Sequence, residues 1–427
     1  MPFRKESAEV KRLRESVQEL SILNEIATAI SGVWELDQVI DLIVHKCVKH
    51  LNVEQGTITL LDEQSSDKPF QTMIRKIDDR ESQIPYHFGV QLSGWMLQHK
   101  KPLIVNDFSS DTRFKILNDA DFPIKSLLSV PLNVKGSMIG LVNLFNKKDK
   151  KGFTDNDKRI LSIIAAQSAQ VIESARLYKQ EQTLRAIEED LRIAREIQGQ
   201  LLPKETPTMP GYDIAGFSVS AKEVGGDYYD FISINDDELA LCLGDISGKG
   251  VPASLIMANL QATLRGQCFA TGSCSECLEK SNTMLFHSTA IEKFATLFYS
   301  VLNSKTHELT YSIAGHNPPI YMRADGSSKF LEVGGTVLGF LEKACYEQET
   351  IIMAPGDMLT IYSDGITEAG DHDEKYFEEW RLIEALKKYR KLPGREIINK
   401  VTAEVMEFSK GGVQNDDMTL LIIKRDK

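Results

Sequence analysis

Aspartates that stand beside glycine recur at the ends of apolar segments in the C-terminal half of the chain. Asp227 precedes the alternating segment 231–234, and Asp245 follows the continuous apolar run 239–243. These patterns are typical of a half-buried strand and of a strand buried on both faces. Polar turn residues between them predict a hairpin. A hairpin brings both carboxylates to one end of a sheet, where they repel each other unless a divalent cation lies between them.

The same pattern returns twice further along the chain. Asp364 follows the apolar-rich segment 360–363, and the pair Asp416-Asp417 directly precedes the apolar segment 418–423. A single aspartate beside glycine is usually an ordinary turn residue. Recurrence at four strand ends instead predicts one binuclear metal centre with oxygen ligands.

Five sequence motifs, taken in their order along the chain, link this predicted metal centre to a protein family. GGDYYD, GDISGKGVPASL, AGHNPP, YSDGITEA and NDDMTLL resemble those of bacterial metal-dependent (PPM-type) serine/threonine phosphatases of the RsbU-like and sporulation stage II protein E type. The resemblance covers about residues 190–427. It implies a sandwich of two antiparallel sheets flanked by helices, with two Mn or Mg ions at the sheet edge.

The resemblance also implies a role for each acidic site. The implied ligands are Asp227 on one cation, Asp245 bridging both with the Ile246 carbonyl beside it, and Asp364 and Asp416 on the other cation. Asp417 stands one position after the ligand in the family pattern. Water activated by the two cations would attack phosphorus, so that no phospho-enzyme forms.

Phosphate binding and proton transfer have weaker candidates. The arginine that eukaryotic members place ahead of the first carboxylate is absent near Asp227, which leaves phosphate to the metals, Lys222 or Lys249. His316, within AGHNPP, could protonate the leaving serine oxygen. The favoured interpretation is that His316 is a turn residue that holds a loop by hydrogen bonds.

The amino-acid composition limits the classes of protein to which this chain can belong. The 427 residues carry a formal charge of −11 and are 42% hydrophobic, which predicts two globular domains with connectors. The acidic balance and the lack of a basic cluster argue against a nucleic-acid partner. No apolar run is long enough to span a membrane, and the N-terminus is no signal peptide. The six scattered cysteines fit reduced thiols and a cytoplasmic location.

The first segment, residues 1–20, predicts a helix. Val10, Leu13, Val17 and Leu20 follow one another at steps of three and four, which makes an apolar seam that Ala27 continues. The seam could join two copies of the chain or pack on its own domain, and dimerisation is slightly favoured.

Residues 21–178 alternate helical and strand patterns, with Cys47 in the core on an apolar helix face and two strands, 126–132 and 139–146, joined by a turn at 134–137. The phrases SGWMLQHKKPLIVND, SLLSVPLNVKGSMIGLVNLFNK and GFTDNDKRILSIIAAQSAQVIESARLY resemble a GAF domain. The resemblance implies an antiparallel sheet between helices, often with a pocket for a small-molecule effector. Asn146, Lys147, Phe153 and Asp157 echo part of a cyclic-nucleotide motif, but Lys158 stands where that motif has Glu. A turn and a helix start at Thr154 is the favoured interpretation of these residues.

Residues 179–202 predict a coiled-coil linker helix. Leu177, Leu184 and Leu191 lie seven apart, and Ile187, Ala194 and Leu201 do the same on a neighbouring seam position. The pattern favours a parallel two-helix stalk in a homodimer over a rigid spacer. AREIQGQLLPKETP resembles the lead-in helix of RsbU-like phosphatases.

Residues 203–427 predict the phosphatase domain, in which 330–333 is one of several further strands, so the whole chain is expected to be α+β. Within this domain the resemblance implies that two helices, at 252–265 and 276–291, act as a switch, although simple core helices are the alternative. The prediction is a signal-controlled protein phosphatase whose substrate is a phosphoprotein, such as a STAS-type anti-sigma-factor antagonist. The rivals are a non-enzymatic signalling scaffold with this fold and the same enzyme gated by a cyclic nucleotide.

Overall fold

The computed structural model describes Val17 and residues 35–61, 70–76, 86–108, 110–114, 124–289, 293–373, 375–409 and 414–426. The predicted N-terminal helix and its apolar seam lie outside the described residues, apart from Val17. The chain divides into two compact units, Met1–Ala186 and Ile187–Lys427. Both units combine helices with antiparallel strands, which confirms the predicted α+β class.

The N-terminal unit contains one antiparallel sheet. Its strands are β1 (Val53–Leu61), β2 (Phe70–Lys76), β3 (Leu103–Val105), β4 (Leu127–Val134) and β5 (Ser137–Lys147), and its helices are α1 (Leu36–Leu51), α2 (Tyr86–His99) and the start of α3 (Asp155–Leu201). The strands lie in the order β2-β1-β5-β4-β3. The predicted hairpin at 126–146 is confirmed, because β4 and β5 pair through a turn at Lys135-Gly136.

Helices α1 and α3 cover one face of this sheet. Ile58, Val142 and Leu144 pack there in one cluster with apolar side chains of both helices, and Cys47 is fully buried in it, as predicted. The alternation of side chains along β5 sends Leu141 to a second cluster on the opposite face. The sheet is therefore buried on both faces, as its near-continuous apolar strands predict.

The residues that echo a cyclic-nucleotide motif serve the fold. Lys147 Nζ donates to Asp157 Oδ1 at 2.9 Å, and Thr154 donates through N and Oγ1 to Asp157 Oδ2 at 2.8 Å. Asn146 accepts a hydrogen bond from the backbone of Lys125 at 2.7 Å. These contacts cap the start of α3 and tie it to β5, so the favoured structural interpretation agrees with the observed geometry.

Helix α3 runs without a break from Asp155 to Leu201. The predicted boundary at 178/179 therefore falls inside one helix, which joins the end of the GAF segment to the linker segment. Leu177, Leu184 and Ile187 are at least half exposed along it. Among the residues that the structure describes, no helix is both long and apolar enough to cross a membrane.

The C-terminal unit is built from more elements. Its strands are β6 (Tyr212–Val219), β7 (Tyr228–Ser233), β8 (Glu238–Ile246), β9 (Ala295–Asn303), β10 (Glu308–Ala314), β11 (Ile320–Met322), β12 (Ser328–Phe330), β13 (Gly334–Gly335), β14 (Glu349–Ile352), β15 (Met358–Tyr362) and β16 (Met418–Arg425). Its helices are α4 (Val251–Cys268), α5 (Cys274–Ser288), α6 (Asp364–Thr367), α7 (Glu378–Tyr389) and α8 (Gly394–Phe408).

These strands form the two predicted sheets. One has the order β13-β10-β9-β8-β7, with β14 also paired to β10, and the other has the order β12-β11-β15-β16-β6. Leu239, Leu241 and Leu243 pack between the sheets, whereas Ala240 and Cys242 pack against α4 and α5. Helices α7 and α8 cover the outer face of the second sheet. The continuous apolar run 239–243 therefore belongs to a strand buried on both faces, as predicted.

One predicted strand is wrong. The segment 330–333 was expected to be a strand, but β12 ends at Phe330 and the backbone N–H of Leu331 donates instead to Pro319 O. The chain then pairs Gly334 in parallel with Ile313. A Cβ at Gly334 would collide with the Ile313 backbone, so glycine allows this close approach.

Candidate metal centre

The β7–β8 hairpin places Asp227 and Asp245 at one end of the sandwich. Tyr228 pairs with Gly244, so the residues that flank this pair lie side by side. Side chains alternate along a strand, and Leu241 and Leu243 point between the sheets, so Asp245 points the same way. Asp227 is on the face of Tyr229, which also lies in the core between the sheets. Both carboxylates therefore face the mouth of the inter-sheet space.

Strand β16 completes this end from the second sheet. Thr419 lies on the same strand face as Leu421, and its Oγ1 donates to Asp227 Oδ2 at 2.5 Å. Ser363, at the end of β15, donates through Oγ to Asp417 O at 3.0 Å and precedes Asp364. The sheet ends that carry all four predicted acidic sites are thus linked by hydrogen bonds.

The carboxylates raise one another's pKa values. Burial, then Asp364 and Asp416, raise the pKa of Asp245 to about 7. Burial and then Asp245 raise the pKa of Asp227 well above its usual range. Burial and Asp416 raise the pKa of Asp364. Such a cluster of like charges is costly by itself, and a bound divalent cation would favour the ionised carboxylates.

A small gap beside these carboxylates suits a cation. A Cβ added at Gly226 would lie 3.1 Å from Ile246 O and 3.3 Å from Asp245 Oδ1. Glycine therefore keeps the Ile246 carbonyl and the Asp245 carboxylate open to a common space. The donors on this space are all oxygens, which Mg²⁺ and Mn²⁺ prefer.

The carboxylates do not form a closed cage. In the described ranges, no three His, Cys, Asp or Glu side chains converge as a metal-binding cluster. Their electrostatic coupling nevertheless runs from Asp227 through Asp245 to Asp364 and Asp416. Such an open arrangement suits Mg²⁺, which is usually held by one or two carboxylates and keeps several waters.

Asp416 has a cation partner on its solvent side. Lys249 Nζ lies 2.7 Å from Asp416 Oδ2 and donates to Asn415 O at 2.6 Å. Both side chains are partly exposed, so this ion pair contributes little to stability. Lys222, the other lysine considered for phosphate, is exposed. Of the two, Lys249 is the one that contacts a predicted metal ligand.

Asp417 has a different place from its neighbour. Its side chain is buried and accepts backbone hydrogen bonds from Ala221 at 2.8 Å, Gly226 at 2.6 Å and Asp227 at 3.2 Å. A Cβ at Gly225 would collide with its carboxylate. Asp417 thus fixes the loop that carries Asp227, which is consistent with Asp416 being the ligand of the pair.

His316 lies beneath the site. Burial lowers the pKa of His316 to about 4, so the ring is neutral near pH 7. Its Nδ1 lies 2.9 Å from Thr296 Oγ1, and Thr296 Oγ1 accepts from the Asp245 backbone N–H at 3.2 Å. The proton donor role considered for His316 is disfavoured by this burial, and the favoured turn-holding interpretation fits its contacts.

Three contributors to the site were not predicted from the sequence. Thr419, Ser363 and Gln198 each bond a group at the site, and Gln198 binds the backbone of Gly225 through both amide atoms, at 3.0 Å and 2.8 Å. Their partners lie far away in the sequence, so residue spacing does not reveal them. Only the order of the motifs NDDMT and YSDG places Thr419 and Ser363 near the ligands.

Comparisons with known proteins agree with this architecture. Residues 235–426 match the Stage II sporulation protein E family model, and residues 35–173 match a GAF domain model. The chain is 28% identical over 253 residues to "Phosphoserine phosphatase RsbU" of Bacillus subtilis, which is 58% of this chain and 75% of that protein. It is 24% identical over 369 residues to "Protein IcfG" of Synechocystis, which is 79% of this chain and 53% of that protein. The chain thus spans about half the length of IcfG.

A solved structure supports the fold of the C-terminal unit. The SiaA-PP2C domain of Pseudomonas aeruginosa superimposes with a TM-score of 0.52 at 21% identity, covering 57% of this chain and 98% of that domain. At this identity the match shows the fold alone. The predicted pair of sheets with flanking helices is confirmed.

Proposed function

Because the chain carries a GAF domain followed by a serine/threonine phosphatase domain of the stage II sporulation protein E type, we propose that it is a signal-regulated protein phosphatase. It hydrolyses phosphoserine or phosphothreonine on a partner protein with two bound Mn or Mg ions. The observation that carries this proposal is the group of four carboxylates, drawn from separate segments, at one end of the sandwich, where burial and neighbouring carboxylates raise the pKa values of Asp227, Asp245 and Asp364.

The chain offers donors for two cations. Asp227, Asp245 and the Ile246 carbonyl would hold one, and Asp245, Asp364 and Asp416 would hold the other. Two bound divalent cations would lower the pKa of a shared water and neutralise phosphoryl oxygens. The Thr419 hydroxyl orients the Asp227 carboxylate, and Thr296 Oγ1 accepts from the backbone N–H of Asp245 and so fixes the strand end that carries it.

Lys249 supplies the positive charge that the chain itself brings to the substrate. Its ammonium group lies at the solvent side of Asp416, where an incoming phosphate dianion would arrive. Lysine binds phosphate as a point charge and needs no fixed fork geometry. Lys249 therefore takes the place of the arginine found in eukaryotic members.

The substrate class comes from the relatives. The name of the Bacillus subtilis relative specifies phosphoserine. The sequence resemblance adds a phosphorylated STAS-type anti-sigma-factor antagonist as the partner protein. We take that partner class over to this chain as part of the proposal.

Phosphate release from a phosphoserine peptide by the full-length chain tests the proposal. Turnover is expected to rise with added Mn²⁺ and to stop when EDTA removes the metal. Turnover that persists in EDTA would contradict the metal mechanism. Absence of turnover at any Mn²⁺ concentration, with the peptide and with p-nitrophenyl phosphate alike, would favour the non-enzymatic scaffold.

We further propose that the signal reaches the site through α3. In the C-terminal unit, Gln198 near the end of this helix bonds both backbone groups of Gly225, two residues before Asp227. Leu201 O accepts from Gln261 Nε2 on α4 at 3.0 Å. Arg265, one turn further along α4, pairs at 2.7 Å with the buried Asp230 of β7. A shift of α3 would therefore move the loop of Asp227 and the first of the predicted switch helices.

Gln198→Ala is expected to raise the Mn²⁺ concentration for half-maximal activity by about tenfold, because the loop that carries Asp227 loses two hydrogen bonds. The measurement is a Mn²⁺ titration of phosphatase activity in the full-length chain. Gln200→Ala is the matched control, since Gln200 is exposed on the same helix. An unchanged Mn²⁺ titration for Gln198→Ala would show that α3 does not influence the metal centre through this contact.

The exposed apolar stripe of α3 supports a homodimer. Leu177, Leu184 and Ile187 repeat at coiled-coil spacing and stay at least half exposed in a single chain. The charged neighbours pair along the helix, as Arg185 does with Glu181 at 2.6 Å. A second copy of α3 would bury the stripe and leave these charges in solvent.

Leu184→Arg combined with Leu191→Arg is expected to convert the dimer to a monomer, because two charges would enter the apolar seam. Light scattering after size-exclusion chromatography measures the mass. Gln182→Arg with Ala186→Arg adds the same charge on the opposite helix face. A seam variant that remains dimeric would place the interface elsewhere.

The GAF domain offers a place for a small-molecule effector. On the sheet face opposite α1, Thr57, Ser129 and Asn143 form a buried hydrogen-bonded row, with Ser129 Oγ 2.6 Å from Asn143 Oδ1. Within the part of the chain that the structure describes, the buried Gln55 Nε2 on the same face has no hydrogen-bond partner. This polar face supports an effector that forms hydrogen bonds, and the residues that echo a cyclic-nucleotide motif lie elsewhere, at the start of α3.

A further inference from the structure

A cavity of about 280 Å³ opens directly beside the metal centre. Asp416 lines it, and so does Gly365, which follows Asp364. The rest of the wall comes from the end of α6, the C-terminal turn of α8 and the segment before β16. The cavity shares Asp416 and Lys249 with the proposed site, whereas the rest of its wall has no role in the proposed mechanism.

The wall of the cavity mixes polar side chains, among them Ser409 and Gln414, with a group of apolar ones. Val405 and Met418 are buried at its base, and Met406 and Tyr376 stand at its rim. Met406 is 54% exposed and Tyr376 is 55% exposed, so both rim side chains leave apolar surface in water. Methionine adapts to varied partners, and tyrosine gives apolar area with a polar tip. These are properties of a surface that receives an apolar group.

The charges around the cavity exclude another class of occupant. Glu368 and Asp416 both line it, against one lysine among the described lining residues, Lys249, which the proposed function already assigns to the phosphate of the substrate. A second phosphate or a carboxylate would meet more negative than positive charge there. An uncharged apolar group meets no such penalty and would cover the exposed Met406 and Tyr376.

The occupant of the cavity can be inferred from the part of the substrate protein that reaches the metal centre. We propose that this cavity binds an apolar side chain next to the phosphorylated serine of the substrate protein, and so selects the substrate. This inference rests on the proposed phosphatase function. An extended peptide advances about 3.3 Å per residue and alternates its side chains. A residue one or two positions from a phosphoserine at Asp416 is therefore within reach of a cavity that Asp416 itself lines.

Phosphoserine peptides that differ only beside the phosphoserine test this inference. With leucine on either side, kcat/KM of the full-length chain is expected to exceed that of the glutamate peptide by at least about tenfold, because the cavity favours an apolar group. Met406→Glu is expected to remove most of this preference, mainly through KM of the leucine peptide. Met406→Leu, which keeps the rim apolar, is expected to retain it.

p-Nitrophenyl phosphate separates this inference from the proposed function, because it has no neighbouring residue. Its hydrolysis is expected to be equal in the wild type and in Met406→Glu. If the wild type hydrolyses p-nitrophenyl phosphate but has equal kcat/KM for all the peptides, the inference about the cavity is overturned and the proposed function stands. A loss of p-nitrophenyl phosphate hydrolysis in Met406→Glu would show a structural effect and overturn it too. A wild type without Mn²⁺-dependent turnover would remove both proposals.

Discussion

Asp245→Asn is expected to lower kcat by at least about 10³-fold, because one charge shared by both proposed cations disappears. The substitution changes little volume, and it removes a carboxylate that Asp364 and Asp416 repel. The fold should therefore persist. The measurement is Mn²⁺-dependent phosphate release by full-length wild type and variant at equal concentration.

Thermal unfolding gives a second readout that does not depend on turnover. A cation that binds only the folded state raises Tm by mass action, so Mn²⁺ should stabilise the wild type and leave Asp245→Asn almost unchanged. Without metal, the variant should melt at the same temperature as the wild type or higher. Wild-type activity in Asp245→Asn would sink the metal assignment. A metal-free variant that unfolds early would instead make its inactivity a folding defect.

The sequence predicted the parts of this centre that depend on local patterns. The run 239–243 and the alternating segment 231–234 define β8 and β7, and the polar residues between them define the turn. Strand pairing then follows, because a short turn allows one register, and Tyr228 does pair with Gly244. Asp227 and Asp245 could therefore be placed side by side from the sequence alone.

Contacts between distant segments could not be predicted in this way. Thr419 lies 192 residues from Asp227, and Gly226 lies 191 residues from Asp417. Each of these contacts depends on how two sheets stack, which residue spacing within one strand does not encode. The same limit applies at 330–333, because β12 of the second sheet ends at Phe330 and Gly334 then pairs with Ile313 in the first sheet.

His316 shows how burial changes the meaning of a motif. Its position within AGHNPP allowed either a proton donor or a turn residue. Only the packing around the ring, which lowers its pKa to about 4, distinguishes these alternatives. Local sequence propensity predicts the turn, whereas the pKa of the His316 ring depends on the tertiary packing that buries it.

Asp416→Asn and Asp417→Asn are expected to separate a metal ligand from a residue that positions the site. The two side chains are neighbours, and each substitution changes the same carboxylate to the same amide. Asp416 is partly exposed and paired with Lys249, so Asp416→Asn should change the free energy of unfolding by no more than about 0.5 kcal/mol. Its loss as a ligand should raise the Mn²⁺ requirement by about 100-fold.

Asp417→Asn should instead destabilise the fold by about 1–3 kcal/mol. The asparagine side chain has an NH2 group in place of one carboxylate oxygen, and this NH2 group would face a backbone N–H that also needs an acceptor. Asp417 accepts from Ala221 on one oxygen and from Gly226 and Asp227 on the other, so either orientation of the amide leaves a donor unpaired. Chemical denaturation measures the stability, and Mn²⁺ titration of activity measures the site. If Asp417→Asn were as stable as the wild type yet inactive, while Asp416→Asn stayed active, the ligand would be Asp417. The family pattern would then have been carried over one residue out of register.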